Sequence, residues 1–119
     1  MQVYNLTQHF KTEAQSNVIE PTPEVKEIIK NLLTFEEIPD LKEMNKRAIA
    51  LLKLIPSGIR GVMIGGAPFF MTVLHRQLVD HGYYPYYAFS KRVSKDIVTK
   101  DGVVKKVSSF KHLGYVSYN

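Results

Sequence analysis

The run Arg60–Gly82, RGVMIGGAPFFMTVLHRQLVDHG, decides how this chain is read. Gly61 to Gly65 is a short apolar strand. Pro68 then opens a helix that carries Met71, Leu74 and Leu78 inward, with Gly82 as its stop. His75, Arg76, Asp80 and His81 are placed largely on the outer side of that helix. A strand that becomes a helix through Gly65-Gly66-Ala67-Pro68 leaves backbone N–H groups free at a helix N-terminus, and such a turn suits an anion such as phosphate. Pro68 has no N–H, so the donors are those of Gly66, Ala67 and Phe69. The spacing is neither GxGxxG nor GxxxxGK[ST], so neither a dinucleotide nor a nucleoside triphosphate is supported.

Working outward, Gln2–Thr7 reads as a first strand, and Thr12 with Gln15 as a capping box for a short turn. Thr22 caps a helix that has Pro23 at its first position and Val25, Ile28, Ile29, Leu32 and Leu33 on one face. LTFEEIP, residues 33–39, reads as a short second strand. Asp40 caps the next helix, with Leu41, Met44, Ala48, Leu51, Leu52 and Ile55 as its stripe and Pro56-Ser57-Gly58 as its end. YYPYYAFS, residues 83–90, is an aromatic strand with Pro85 near its start. Asp101-Gly102 marks a hairpin within Val93–Phe110, and LGYVSY continues its second strand. This alternation predicts an α/β fold over residues 1–119: a single Rossmann-like domain whose mostly parallel sheet, with strands near 2–7, 60–65 and 84–90, has helices on both faces and a C-terminal antiparallel hairpin.

Composition narrows the classes. With 119 residues and 45% hydrophobic content, the chain suits one folded domain and not a disordered segment. It has no cysteine, which excludes disulfides, thiolate metal sites and a cysteine nucleophile. No apolar run approaches the roughly 20 residues of a membrane helix. The N-terminus reads as a strand and not as a leader, so a cytoplasmic protein without a membrane partner is expected. The net charge is +5, and Lys91, Arg92, Lys95, Lys100, Lys105, Lys106 and Lys111 face only Asp96 and Asp101 in the last third. That excess fits an anionic ligand or a nucleic acid, and equally a hairpin whose lysines blunt an exposed edge.

Ligands of open α/β sheets sit beyond the carboxyl ends of the strands. Three segments are expected there: Thr7-Gln8-His9, Gly65-Gly66-Ala67 and Ser90-Lys91-Arg92. Thr7 and Ser90 offer hydroxyls, and His9 a group able to move a proton near neutral pH. Lys91 and Arg92 offer cations for phosphate. Phe69 could stack on a base, although an aromatic pair at a helix start is more often core. The four histidines are scattered and no paired carboxylates sit at a strand end, so no metal or other cofactor is expected.

MIGGAPFFM (63–71), YYPYYAFSKRVS (83–94) and DGVVKKVSSFKHLGYVSY (101–118) together resemble small CRISPR-associated proteins of type III systems related to the CARF (CRISPR-associated Rossmann fold) superfamily. Several of these are ring nucleases. The likeness covers about half the chain. Gln8 stands between Thr7 and His9, where the family pattern has hydroxyl residue and histidine adjacent. The resemblance implies a cyclic oligoadenylate ligand, cyclic tetra-adenylate being the commoner among relatives. It also implies metal-free cleavage by attack of a ribose 2′-OH on the neighbouring phosphorus. On this reading His9, Lys91 and Arg92 are catalytic, and Thr7, Gly65, Gly66, Ala67, Phe69 and Ser90 bind the ring. A homodimer is expected from the ring's symmetry, and no DNA partner. A non-catalytic sensor or sponge for the ring, and an RNA-binding protein using the basic hairpin, remain open alternatives.

Overall fold

The computed structural model describes residues 1–118. In chain order it contains β1 (Val3–Asn5), β2 (Val18–Ile19), α1 (Pro23–Leu33), α2 (Leu41–Leu52), β3 (Gly61–Met63), α3 (Pro68–Asp80), β4 (Tyr84–Val98) and β5 (Val104–Ser117). The helix starts are set as their sequences require. Thr22 Oγ1 accepts from the Val25 N–H at 3.3 Å, Asp40 Oδ1 accepts from the Glu43 N–H at 2.8 Å, and Pro68 occupies the first turn of α3. Gly102, at φ +75°, makes the hairpin turn that joins β4 to β5.

The five strands lie in the order β2-β1-β3-β4-β5. The sheet is mixed. Its parallel pairings are short, with two, three and three residue pairs, whereas β4 and β5 pair antiparallel over thirteen. The expected second strand at residues 33–39 does not form. That stretch links α1 to α2, and the strand beside β1 is instead Val18-Ile19. A pair of β-branched residues flanked by polar ones carries too little periodicity to be seen in sequence.

Helices on both faces were expected, and the structure corrects this. Tyr4, Leu6, Val62 and Ile64 point to one face and pack with Ile29, Leu33, Ala48, Leu51, Phe70, Leu74 and Leu78, so α1, α2 and α3 all cover that face. Val3, Val18 and Met63 point to the other and are covered by Tyr86 and Tyr115, with no helix. The reason lies in the first crossover. Residues 6–17, where a doubly wound sheet would place its first helix, form a loop whose buried Gln15 reaches Met63 Sδ at 3.7 Å. Thr12 and Gln15 close only a turn within it, through the Thr12 N–H to Gln15 Oε1 at 2.9 Å and the Gln15 N–H to the Thr12 carbonyl at 2.9 Å.

The position of α1 follows from one polar network. Lys26 Nζ, although its residue is buried, donates to the His9 carbonyl at 2.7 Å and to Glu20 Oε2 at 3.3 Å. Glu20 Oε1 accepts from Asn5 Nδ2 at 2.6 Å and from the Lys11 N–H at 2.8 Å. At the other end of α1, Leu33 lies against Gly66. From Lys26 to Leu33 a helix rises about 10 Å, the width of two strand spacings of about 4.8 Å. The helix therefore crosses the carboxyl edge from β2 and β1 to β3 and closes that part of it.

The hairpin does the opposite and leaves the body. β3 pairs with β4 only at Tyr84, Pro85 and Tyr86. From Tyr87 to Val98 the strand then advances about 37 Å with no third strand beside it, at about 3.4 Å per residue. Its radius of gyration of 17.1 Å exceeds the about 13.5 Å of a compact chain of this length, because this arm stands out from the core.

Burial opposes the charge of Glu20, yet the hydrogen bonds from Asn5 and Lys11 and the charge of Lys26 hold its carboxyl below the usual range. A carboxyl lowered in the fold contributes stability that is complete above its ordinary value of 4.5 and is lost as pH falls through the lower folded value. Glu20→Gln should therefore cost about 1–3 kcal/mol at neutral pH in urea unfolding, since Lys26 loses its partner charge. The difference from the parent chain should shrink as the pH is lowered below that ordinary value.

Candidate functional site

The three expected segments separate once the strands are drawn. Thr7 and Gly65 are neighbours, with Thr7 Cγ2 3.6 Å from the position a Cβ on Gly65 would take. The Thr7 hydroxyl, however, is buried and committed to Asn5 Oδ1 at 2.6 Å and the His9 carbonyl at 3.1 Å. His9 contributes that carbonyl to Lys26, Asn5 and Thr7, while the residue itself is exposed. With α1 laid across this edge, Thr7 and His9 are parts of the closure.

Ser90, Lys91 and Arg92 do not end a strand, because β4 runs on to Val98. Side chains alternate along a strand, so Lys91 points to the helix-bearing face with Tyr87 and Phe89, and Ser90 and Arg92 to the other. The pairing agrees: Ser90 lies opposite His112, whose ring contacts Tyr115 on the helix-free face. Arg92 sits over Phe110 at 5.9 Å. Lys91 and Arg92 of one chain therefore cannot converge on one phosphate.

The helix-bearing face of β4 opens instead into a cleft of about 570 Å³ lined by Gly65, Gly66, Thr72, His75, Arg76 and Tyr87 among others. Thr72, His75 and Arg76 share one side of α3 at i, i+3 and i+4. His75 Nδ1 is 2.9 Å from Tyr87 Oη, and the two rings stack at 5.8 Å. Tyr118 meets both rings edge-on, at 5.6 and 6.3 Å. Burial, and secondarily Tyr118, pushes the Tyr87 phenol up, so it keeps its proton through the neutral range. The Nδ1–Oη contact fixes the orientation of the imidazole, and its donor is set by the ring tautomer: Nδ1–H donates in one, the Tyr87 hydroxyl in the other. The cleft thus joins the glycine turn to a tethered imidazole and a guanidinium. Sequence reading placed His75 and Arg76 on the outer side of α3. The available signal was the polar stripe Thr72, His75, Arg76 directly after the glycine turn. What covers that stripe depends on where β4 lies.

Phe69 is half exposed and meets Phe35 edge-on at 5.3 Å, while Phe70 is core. Ala67 precedes α3 without a side-chain cap. A larger polar hollow of about 710 Å³ lies between α1 and α2, lined by Glu36, Glu37, Asp40 and Arg47 among others. Its arginine is spent structurally: Nη1 donates to the Leu32 and Thr34 carbonyls, Nε pairs with Glu43, and the guanidinium covers the Phe35 ring. The remaining charges there are mixed, Glu36, Glu37 and Asp40 beside Lys42 and Lys46. Among the described residues no group of three or more His, Asp or Glu could hold a metal ion, and no helix is long and apolar enough to cross a membrane.

The sequence model of the uncharacterized protein MJ1673 family matches residues 1–116. No curated protein and no solved structure matches the chain.

The two glycines of the turn should behave differently. Gly66 has φ +156°, and a Cβ there would lie 3.3 Å from Met71 Cε. Gly66→Ala should cost about 1–3 kcal/mol in urea unfolding. Gly65 needs no such backbone and has ordinary contact distances, so Gly65→Ala should stay within about 0.5 kcal/mol of the parent chain.

Proposed function

The chain belongs to the MJ1673 family, and we propose that it is a ring nuclease that binds and cleaves cyclic oligoadenylate, cyclic tetra-adenylate in the first instance, without a metal. The observation that carries the reading is the cleft in which the Gly65-Gly66 turn, Arg76 and the His75–Tyr87 pair meet. The finer likeness to a Rossmann-like CARF domain belongs to the same proposal, supported by the three parallel pairings and the β3–α3 turn.

Cleavage of an RNA-type phosphodiester from within needs three things. The 2′-oxygen must lie in line with the phosphorus, a base must take its proton, and donors must meet the charge that develops on the phosphoryl oxygens. His75, in the tautomer that donates through Nδ1–H, takes the 2′-proton at its other nitrogen. Arg76 and the free N–H groups at the start of α3 face the phosphoryl oxygens. The new P–O2′ bond forms as P–O5′ breaks, and the 5′-oxygen takes a proton from solvent. The product ends in a 2′,3′-cyclic phosphate. The roles first given to His9 and Arg92 pass on this reading to His75 and Arg76. Lys91 keeps a binding role, since it lies on the same face as Tyr87, about 14 Å further along β4, within the span of a small nucleotide ring. Half-exposed Phe89 lies between them.

The ring has rotational symmetry, and a two-fold pair of chains would present the same cleft to both halves. A homodimer in the presence of ligand is part of the proposal, tested by light scattering.

Purified protein incubated with labelled cyclic tetra-adenylate in EDTA should yield linear product with 2′,3′-cyclic phosphate ends. His75→Ala should slow single-turnover cleavage by about 10²-fold or more while binding changes little. Lys91→Ala should weaken ring binding more than it slows cleavage of bound ring. Ring bound intact by the parent chain would make the protein a sensor or sponge. Neither binding nor cleavage would overturn the reading altogether.

A further inference from the structure

The whole net charge of the protein sits on one structural element. Between Lys91 and Lys111 seven cations face two carboxylates, so this stretch alone accounts for the chain's +5. In the structure it is the projecting part of the β4–β5 ribbon.

Pairing sorts these charges by face. On the helix-bearing face the rungs are Lys91 with Lys111, Val93 with Ser109, Lys95 with Val107 and Ile97 with Lys105. That face carries four lysines and no carboxylate. Asp96 lies on the opposite face, across from Lys106, and Asp101 lies in the turn. Lys91 and Lys111 stand directly across the ladder from each other, an arrangement that repels unless an anion lies over it. None of the four lysines has a salt-bridge partner among the described residues. Edge protection against aggregation does not account for the sorting, since lysines placed for that purpose need no common face. Between the lysines, Val93, Ile97 and Val107 are 39–44% exposed, and Phe89 at the root of the arm is 50% exposed.

We infer that this face of the arm is a binding track for a linear single-stranded nucleic acid, which starts at the Phe89 and Lys91 of the proposed ring site and runs outward beyond it. The lysines track the phosphates, and the apolar side chains between them and Phe89 receive unpaired base faces. A duplex would offer this face phosphates only, and would leave Val93, Ile97 and Val107 against charge. An acidic polypeptide would satisfy the lysines but offers no flat apolar groups to the residues between them. From Lys91 to Ile97 the track runs about 20 Å.

The test is fluorescence anisotropy with labelled 12-nucleotide single-stranded RNA and DNA, the corresponding duplexes and poly-glutamate, across a salt series. Single strands should bind more tightly than duplexes, and RNA against DNA reports whether the 2′-hydroxyl is read. Lys95→Gln/Lys105→Gln, at two exposed positions remote from the core and the cleft, should lower the salt slope by roughly 1.4, about 0.7 per lost phosphate contact on a single strand. The same double variant should bind cyclic tetra-adenylate as the parent chain does, so failure of the track and failure of the ring-nuclease reading are separately visible. Single-strand binding with an unchanged slope in the variant, equal or tighter binding of duplex or poly-glutamate, or no single-strand binding at low salt would each overturn the inference.

Discussion

The fold turns on a buried lysine. Lys26 joins the side chain of Glu20 to the carbonyl of His9, and Glu20 in turn holds Asn5 and the Lys11 N–H. An ammonium group is rarely buried without a partner, and here the partners are a carboxylate after β2 and the loop after β1. Satisfying them draws the first turn of α1 onto the carboxyl edge. Leu33, at its far end, then packs beside Gly66. The usual crevice over the first strands is thereby filled. The open part of the edge moves toward β3 and β4, where His75, Arg76 and Tyr87 line the cleft.

The same displacement explains why one face of the sheet has no helix. A loop carries the first crossover, and Gln15 with Tyr86 and Tyr115 covers Val3, Val18 and Met63. Tyr115 comes from β5, so the arm's root serves as the lid of this small second core. Burial pushes the Tyr115 phenol up, in keeping with a ring used for packing while its hydroxyl reaches Asn17 at 3.4 Å. The arm beyond that root cannot stabilise itself by burial, because a lone two-stranded ribbon has no layer to pack against. Its side chains are therefore available for contacts outside the chain, and the sorting of its charges by face becomes informative.

Much of the local structure was legible. Thr22, Asp40, Pro68, Gly82 and Asp101-Gly102 act through the nearest few residues, so their effect on helix and turn ends can be read without knowing what lies elsewhere. The turn at Gly65-Gly66 was legible for the same reason. The candidate site was only half legible. Thr7, His9 and Ser90 were expected at strand ends, but Thr7 and His9 were consumed by the closure around Lys26, and Ser90 lies in mid-strand. His75 was placed on the outer side of its helix without a role, because one polar side of a helix looks like another until its neighbour is known.

What the sequence by itself determined is what short-range chemistry determines: the helix starts, the β–turn–α step, the terminal hairpin and the concentration of charge near it. Even the separation of Lys91 from Arg92 was implicit in it, since adjacent strand residues point to opposite faces whatever the fold. What only the tertiary structure decided is which elements meet. Three helices on one face, α1 across the carboxyl edge, and the meeting of His75 with Tyr87 depend on pairings between distant segments, each linked to the others through a shared core. Val18-Ile19 becomes a strand only because β1 lies beside it, and β4 outruns the sheet only because β3 stops at Met63. Strand partnership is a property of two segments at once, and no periodicity within either one records it.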